Sequence, residues 1–184
     1  MTDPQSNSNK TLPTQNEYFA STVRDGFAPE IEKSFRHLAI HLVHVGGLTL
    51  KMSPQAIYTA CYIIHRVYEE QSFLEPEFDI LSVVMASCLL AGKMEESERR
   101  IRDIINTFDF LYTSFMRQKR YRPFRYTENA YYDWRDRVTR TEMVILRLLG
   151  FKVDYQNPTA FLLSYLNALQ LLPDKPTSQR ALNH

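Results

Sequence analysis

The sequence predicts an all-α fold: five helices arranged around a central buried one, followed by one extra amphipathic helix. Three observations predict it. Apolar residues recur every three or four positions, no alternation of apolar and polar residues persists beyond a few positions, and 184 residues suit one domain with a sizeable core. Because 44% of the residues are hydrophobic and 23% are charged, we expect a folded protein with disorder confined to its ends.

The amino-terminal part is polar up to the first helix. Ser, Asn, Thr and Gln dominate the first positions, which predicts a disordered tail over residues 1–26 and no signal peptide. Helix one is predicted over 29–45, where the apolar residues follow helical spacing. A glycine pair at 46–47 is expected to end it.

Helices two and three both have recognisable starts. Ser53 followed by Pro54 offers a cap and a first-turn proline, so helix two is expected from there to about Gln71. Pro76 opens helix three, whose apolar residues at 80–91 cover nearly all of its faces. That run is shorter than the ~20 residues a bilayer-spanning helix needs, so we expect a core helix and no membrane contact.

Two further helices enclose a basic loop. Helix four is predicted over 100–112 and helix five over 127–149, and the loop at 113–126 interleaves basic with aromatic residues around a proline. The extra amphipathic helix is predicted over 159–171, and a polar tail at 173–184 ends the chain.

Charge and side-chain chemistry exclude several classes of function. Twenty-two basic against 21 acidic residues leave a net charge of +1, so attraction to nucleic acid needs a local patch. Cys61 and Cys88 lie in apolar helical patterns, as expected for free thiols in a reducing compartment. His37, His41 and His44 share helical spacing but lack a fourth ligand, so we expect no metal. Without a phosphate-binding glycine loop or a nucleophile motif, we expect no cofactor, no small-molecule substrate and no enzymatic activity.

Two segments that mix apolar and charged residues carry the functional signal. LLAGKMEE at 89–96 runs a buried helix into a lysine and two glutamates, and RTEMVILRLLGFKV at 140–153 sets Glu142 among apolar residues at helical spacing. In order and spacing these segments resemble the end of the third helix and the fifth helix of a cyclin box. NPTAFL at 157–162 is similar to the entry into a second cyclin repeat. The resemblance to the cyclin family covers roughly residues 27–172.

Two subgroups of the family are similar to this chain. HRVY at 65–68 is like the transcription and splicing cyclins, and RRIRDIIN at 99–106 resembles cyclin L. WRD at 134–136, together with Glu142, Tyr165 and Leu166, is closer to cyclin Q, also called cyclin M. Both subgroups stay open.

The resemblance implies a domain organisation and a partner. A first cyclin repeat, the cyclin box, is expected at 27–154, and 155–172 is expected to be the first helix of an incomplete second repeat. The implied function is that of a nuclear, or nuclear and cytoplasmic, regulatory subunit in transcription or RNA-processing control. It would form a heterodimer with a cyclin-dependent serine/threonine kinase and position the αC helix of that kinase. The kinase-binding residues that the resemblance implies are Lys93, Glu142, Met94, Leu90, Leu146, Glu95 and Glu96.

Three alternatives accompany this interpretation. Lys93 and Glu142 could form an interhelical salt bridge that serves stability alone. The protein could be a nucleic-acid-binding or adaptor protein of the same fold, because arginine and aromatic side chains together can neutralise phosphates and stack on bases. It could also be a truncated kinase binder that does not activate. The residues of the possible nucleic-acid or nuclear-import patch are Arg117, Lys119, Arg120, Arg122 and Arg125.

Overall fold

The computed structural model describes residues 21–116, 123–125, 128–152 and 158–183. Within these ranges the chain is helical and contains no β-strand, so the predicted all-α class is confirmed. A short 3-10 helix, Pro76–Phe78, precedes the fourth α-helix. The α-helices are α1 (Ser21–Arg24), α2 (Pro29–Thr49), α3 (Pro54–Glu70), α4 (Ile80–Met94), α5 (Ile101–Met116), α6 (Asn129–Leu148), α7 (Pro158–Ala168) and α8 (Lys175–Asn183).

Helix α4 is the centre of the core. Asp79 caps it by accepting a hydrogen bond from the Ser82 N–H at 3.1 Å, so the α-helix begins at Ile80. Every residue at 81–92 is buried, because α2, α3, α5 and α6 pack around α4. This arrangement confirms the five-helix box around a buried helix.

The prediction that a glycine pair ends the first long helix is wrong. Helix α2 runs through Gly46 and Gly47, and both are buried inside it. A Cβ atom on Gly46 would collide with the ring of Phe108, and one on Gly47 would lie 2.6 Å from Cγ1 of Ile57. The glycines therefore allow α3 and α5 to approach α2 closely, which a local sequence signal does not reveal.

Three segments predicted to be irregular contain helix. Helix α1 lies in the predicted tail 1–26, where the buried Thr22 hydroxyl oxygen accepts a hydrogen bond from the Phe73 N–H at 3.2 Å. The preceding part of that tail lies outside the described residues. Helix α5 continues into the predicted loop 113–126, and α8 occupies most of the predicted tail 173–184.

Helices α7 and α8 follow the box and pack against each other. Among the described residues, neither helix contributes a side chain to the core cluster that α2–α6 share. Phe161, Tyr165 and Leu169 of α7 are exposed, as the apolar stripe of the predicted extra helix suggests, whereas Leu166 is buried. The box is thus complete in packing without these two helices.

Arg36 joins α2 to the end of α3. Its guanidinium donates to the Glu32 carboxylate at 2.8 Å and to the carbonyls of His65 and Tyr68 at 3.2 and 3.0 Å. The Arg36 and Glu32 side chains are only 14% and 10% exposed. The two charges therefore neutralise each other largely out of water, and Arg36 also satisfies carbonyls that the helix end leaves free.

Candidate partner-binding site

The two segments singled out in the sequence meet at one edge of the box. Lys93 lies in the last turn of α4 and Glu142 in the middle of α6, and Nζ donates to Oε1 at 2.6 Å. The Glu142 side chain is 7% exposed, whereas that of Lys93 is 48% exposed. A lysine ammonium carries three donors, so Lys93 can bond Glu142 and still offer donors to a partner.

The apolar residues predicted to flank this pair differ in their exposure. Met94 is 37% exposed and can contact a partner directly. Leu146 is half-buried and packs against the core, while Leu90 is buried within it. Of these three apolar residues, Met94 is therefore the one that the described edge exposes most to solvent.

The turn after α4 holds two carboxylates in different settings. Glu95 is half-buried, and its Oε1 accepts a hydrogen bond from the fully buried Thr59 hydroxyl at 2.8 Å. Glu96 is exposed and has a φ of 50°, in the left-handed region that often ends a helix. The Ser97 N–H then donates back to the Gly92 carbonyl at 2.8 Å. Glu96 is therefore the acidic group of this turn that is freely offered to solvent.

The segment after this turn is fastened to the connection between α2 and α3. The Ser97 hydroxyl accepts a hydrogen bond from the Ser53 N–H at 3.0 Å. Arg99 donates to the Leu50 carbonyl at 2.6 Å and also to the Lys51 carbonyl. Together with the bond from the Thr59 hydroxyl to Glu95, these contacts, which we call the turn clamp, fix where α4 ends. Sequence reasoning missed them because the partners are far apart along the chain and carry no motif.

The basic patch is mostly outside the described residues. This applies to its members Arg117, Lys119, Arg120 and Arg122. Its remaining member, Arg125, is exposed. A role for the patch in nucleic-acid binding or nuclear import stays a prediction.

The other chemical groups of the chain are placed as follows. His37, His41 and His44 are all exposed on α2, and the described part of the chain holds no cluster of three metal-ligating side chains. Burial raises the pKa of the Cys61 thiol to about 11 and also raises the pKa of Cys88, so both thiols are protonated at neutral pH. Within the same described ranges, no helix has the length and apolarity needed to cross a bilayer.

Fold and site together define a class of protein: an all-α box of five helices, α2 to α6, that presents a charged and apolar edge where α4 and α6 meet. A family model described as Cyclin, N-terminal domain matches residues 5–154. The chain belongs to the cyclin family. Cyclins are regulatory, non-enzymatic subunits.

Curated relatives include L-type cyclins. Cyclin-L1 from Homo sapiens is 31% identical over 163 residues, which are 89% of this chain and 30% of that protein. Cyclin-L1 from Danio rerio is 31% identical over 96% of this chain and 34% of its own length, and Cyclin-L2 from Mus musculus is 27% identical over 96% and 33%. The chain thus spans about a third of the length of the curated relatives it matches. The predicted likeness to cyclin L is confirmed, and the likeness to cyclin Q stays a prediction.

Proposed function

We propose that this chain binds a cyclin-dependent serine/threonine kinase and positions the αC helix of that kinase. The observation that carries the proposal is the Lys93–Glu142 pair at the edge where α4 and α6 meet. Membership of a family of regulatory subunits supports it. An active kinase needs an ion pair between a lysine of its β3 strand and a glutamate of αC, so a partner that pushes αC inward completes a site it does not itself supply.

Each member of the pair has a distinct part in this proposal. Lys93, which is about half exposed, donates its remaining N–H groups to backbone carbonyls of the kinase. Glu142 accepts from backbone amides with the carboxylate oxygen that does not bond Lys93. Both are charge-assisted hydrogen bonds, which are stronger than neutral ones. Met94 adds a flexible apolar contact beside them, and Glu96 adds an exposed negative charge.

The turn clamp supports the proposal because it holds the edge in one geometry before any partner arrives. Lys93, Met94 and Glu96 all lie within the last turn of α4 or directly after it. Since the bonds from Thr59, Ser53 and Arg99 fix that turn, docking does not have to order it.

Exchanging the two charges distinguishes a kinase-binding role of Lys93 and Glu142 from the alternative of a purely structural salt bridge. In a Lys93→Glu/Glu142→Lys variant the interhelical ion pair can still form, while the donors and acceptors offered to a kinase are reversed. A single Glu142→Lys change is less informative, because it places two ammonium groups together at a site where Glu142 is buried. The matched control reverses the exposed pair Arg66 and Glu69 on α3, whose closest charged atoms are 2.9 Å apart.

The experiment is capture of cyclin-dependent kinases from nuclear extract, followed by a kinase assay on the captured fraction. We expect the parent chain and the Arg66→Glu/Glu69→Arg control to retain a kinase, and the exchanged variant to lose it while its circular dichroism and melting transition are kept. Equal capture by the folded exchanged variant would leave the pair with a structural role only. The assay separates an activating subunit from a truncated binder that does not activate.

We further propose a nuclear location and a role in transcription or RNA processing. The support is the similarity of HRVY at 65–68 to transcription and splicing cyclins and the likeness of the chain to L-type cyclins. Imaging of the tagged chain in cells tests the location. Exclusion from the nucleus would contradict this part of the proposal without touching kinase binding.

A further inference from the structure

The outward face of α6 bears a cleft that the kinase-binding proposal does not use. Its volume is about 1060 Å³, and one wall is formed by Pro76 and Glu77 of the 3-10 helix. Neither Lys93 nor Glu142 lines it. The α6 wall includes Arg135, Asp136, Arg137, Arg140, Met143, Val144 and Arg147.

The four arginines of the cleft are not equally neutralised. Arg135 lies 3.0 Å from the Asp136 carboxylate, and Arg137 lies 3.7 Å from that of Asp79. Arg140 and Arg147 are exposed and have no ion pair within the described part of the chain. These two guanidinium groups are therefore the charges that a ligand can neutralise.

Helix geometry sets the spacing of those two arginines. They are seven residues apart, which is close to two turns, so they share a face and lie roughly 10.5 Å apart along the axis. Met143 is exposed and Val144 half-buried between them. The face thus presents two positive charges with an apolar surface in the middle.

We propose that this face binds an extended acidic peptide segment of a protein partner, with negative side chains three residues apart and an apolar residue between them. In a polyproline II conformation, residues i and i+3 lie on the same side and roughly 9.3 Å apart, which matches the arginine spacing. Arginine guanidinium groups bind carboxylates and phosphates through paired hydrogen bonds, so aspartate, glutamate and phosphoserine all have suitable chemistry.

A nucleic acid fits this face less well than a peptide. Base stacking needs open aromatic rings, but Arg137 lies over the Trp134 ring and Arg135 over the Tyr132 ring, each at 5.1 Å from the centroid. Asp136 also places a negative charge among the arginines, which opposes a continuous phosphate backbone.

The test is fluorescence anisotropy of the full chain with three labelled peptides of one design. They are Pro-Asp-Leu-Pro-Asp-Pro, the same peptide with phosphoserine in place of both aspartates, and the same peptide with asparagine. A labelled oligothymidine supplies the nucleic-acid comparison. The variant is Arg140→Glu/Arg147→Glu, and the control is Lys33→Glu/Lys175→Glu, which makes the same change in net charge at exposed positions on α2 and α8.

We expect salt-sensitive binding of the acidic peptides, weaker by roughly tenfold or more for the asparagine peptide and for the Arg140→Glu/Arg147→Glu variant. The control should stay near the parent. A preference for the aspartate or the phosphoserine peptide decides which acidic group is read. Three results would overturn the proposal: equal loss in the control, equal binding of the asparagine peptide, or tighter binding of oligothymidine.

Discussion

Gly46 lies so close to the Phe108 ring that even one methyl group has no room. Helix propensity acts against this steric collision, because alanine in a helix interior is more favourable than glycine by about 1 kcal/mol. In the interior of a packed core, overfilling usually outweighs this gain, at about 1–3 kcal/mol. The position therefore places local preference and packing in direct opposition.

We expect Gly46→Ala to lower the free energy of unfolding by up to about 2 kcal/mol, since the added Cβ collides with Phe108. Urea unfolding measures this. In a Phe108→Leu background, where the ring is gone, the same change should be neutral or stabilising. A Gly46→Ala protein that is more stable than the parent would show that α2 and α5 can separate without loss.

His65 stands at the end of α3 next to a cation. Its Nδ1 lies 3.4 Å from Nη1 of Arg36, which can only donate, so Nδ1 is the acceptor and the neutral ring carries its proton on Nε2. Burial lowers the pKa of His65, and the Arg36 charge lowers it further. His37 adds to this effect, while Glu69 and Glu32 oppose it.

Stability should therefore depend on pH through His65. Because the folded state holds its pKa below the ordinary value of about 6.5, the unfolded chain binds a proton more readily. The stability that the folded protein gains from holding His65 neutral is present in full above about pH 6.5. It is lost as the pH falls from there through the pKa of His65 in the folded state. We expect the urea midpoint to drop between pH 7.5 and 5.5, and to drop less in His65→Gln. An identical pH profile for the two proteins would contradict this.

The start of α4 decides where the central helix enters the core. Asp79 is both its cap and a neighbour of Arg137, 3.7 Å away on α6. The preceding 3-10 turn is held as well, because the Tyr68 hydroxyl donates to the Phe78 carbonyl at 3.0 Å. A substitution of Asp79 is therefore expected to affect the start of α4 and its contact with α6 together.

Replacing Asp79 with alanine removes the acceptor for the Ser82 N–H, and we expect a loss of about 1 kcal/mol in unfolding free energy. Asp79→Asn keeps a side-chain oxygen in place and should retain most of the stability, apart from the weak attraction to Arg137. Chemical denaturation of the three proteins tests the order. Equal losses for Asn and Ala would assign the effect to charge and not to capping.

Helix ends differ in how well the sequence predicts them. Helix α3 was predictable because Ser53 and Pro54 act locally, and the Ser53 side chain does accept from the Ala56 N–H at 3.2 Å. Helix α8 was missed, although Asp174 before Lys175 is an available signal: its carboxylate accepts from the Thr177 hydroxyl at 2.6 Å. A proline in the first turn is compatible with a helix start, so Pro176 does not exclude α8.

The described part of the chain consists of a packed box followed by the α7–α8 pair. Within the described residues the core cluster draws on the box and not on these two helices. Phe161, Tyr165 and Leu169 leave a row of large apolar groups exposed, at 49%, 66% and 67%. We therefore expect the box to determine the stability of the fold and the exposed apolar row on α7 to determine self-association.

Removal of residues after 154 should change the unfolding free energy of the box by no more than about 1 kcal/mol, because no described residue of the removed segment belongs to the core cluster. The exposed row should promote self-association of the full chain, and its loss should reduce it. Analytical ultracentrifugation and urea unfolding measure the two effects. The Tyr165→Ser/Leu169→Ser variant of the 184-residue chain is the control. A box that fails to fold alone would contradict this division.

More of the fold than of the site could be predicted from the sequence. The run at 80–91 predicts a buried helix from its composition alone, and Lys93 and Glu142 follow from the resemblance to cyclins. The turn clamp could not be predicted, because Ser53 and Ser97 are 44 residues apart and Arg99 is 49 residues from Leu50. Such contacts depend on how helices pack, and their residues look ordinary in a local window.

The burial of α4 has a consequence for synthesis of the chain on the ribosome. Glu142, the ion-pair partner of Lys93, lies 49 residues further along the chain. It belongs to α6, which packs on α4, so α4 is synthesised well before the helix that covers it. At roughly 5–20 residues per second, about 2–10 s separate the two positions during translation. Throughout that interval one face of the most apolar helix lacks its neighbour, so the nascent chain should be a client for chaperones until α6 emerges.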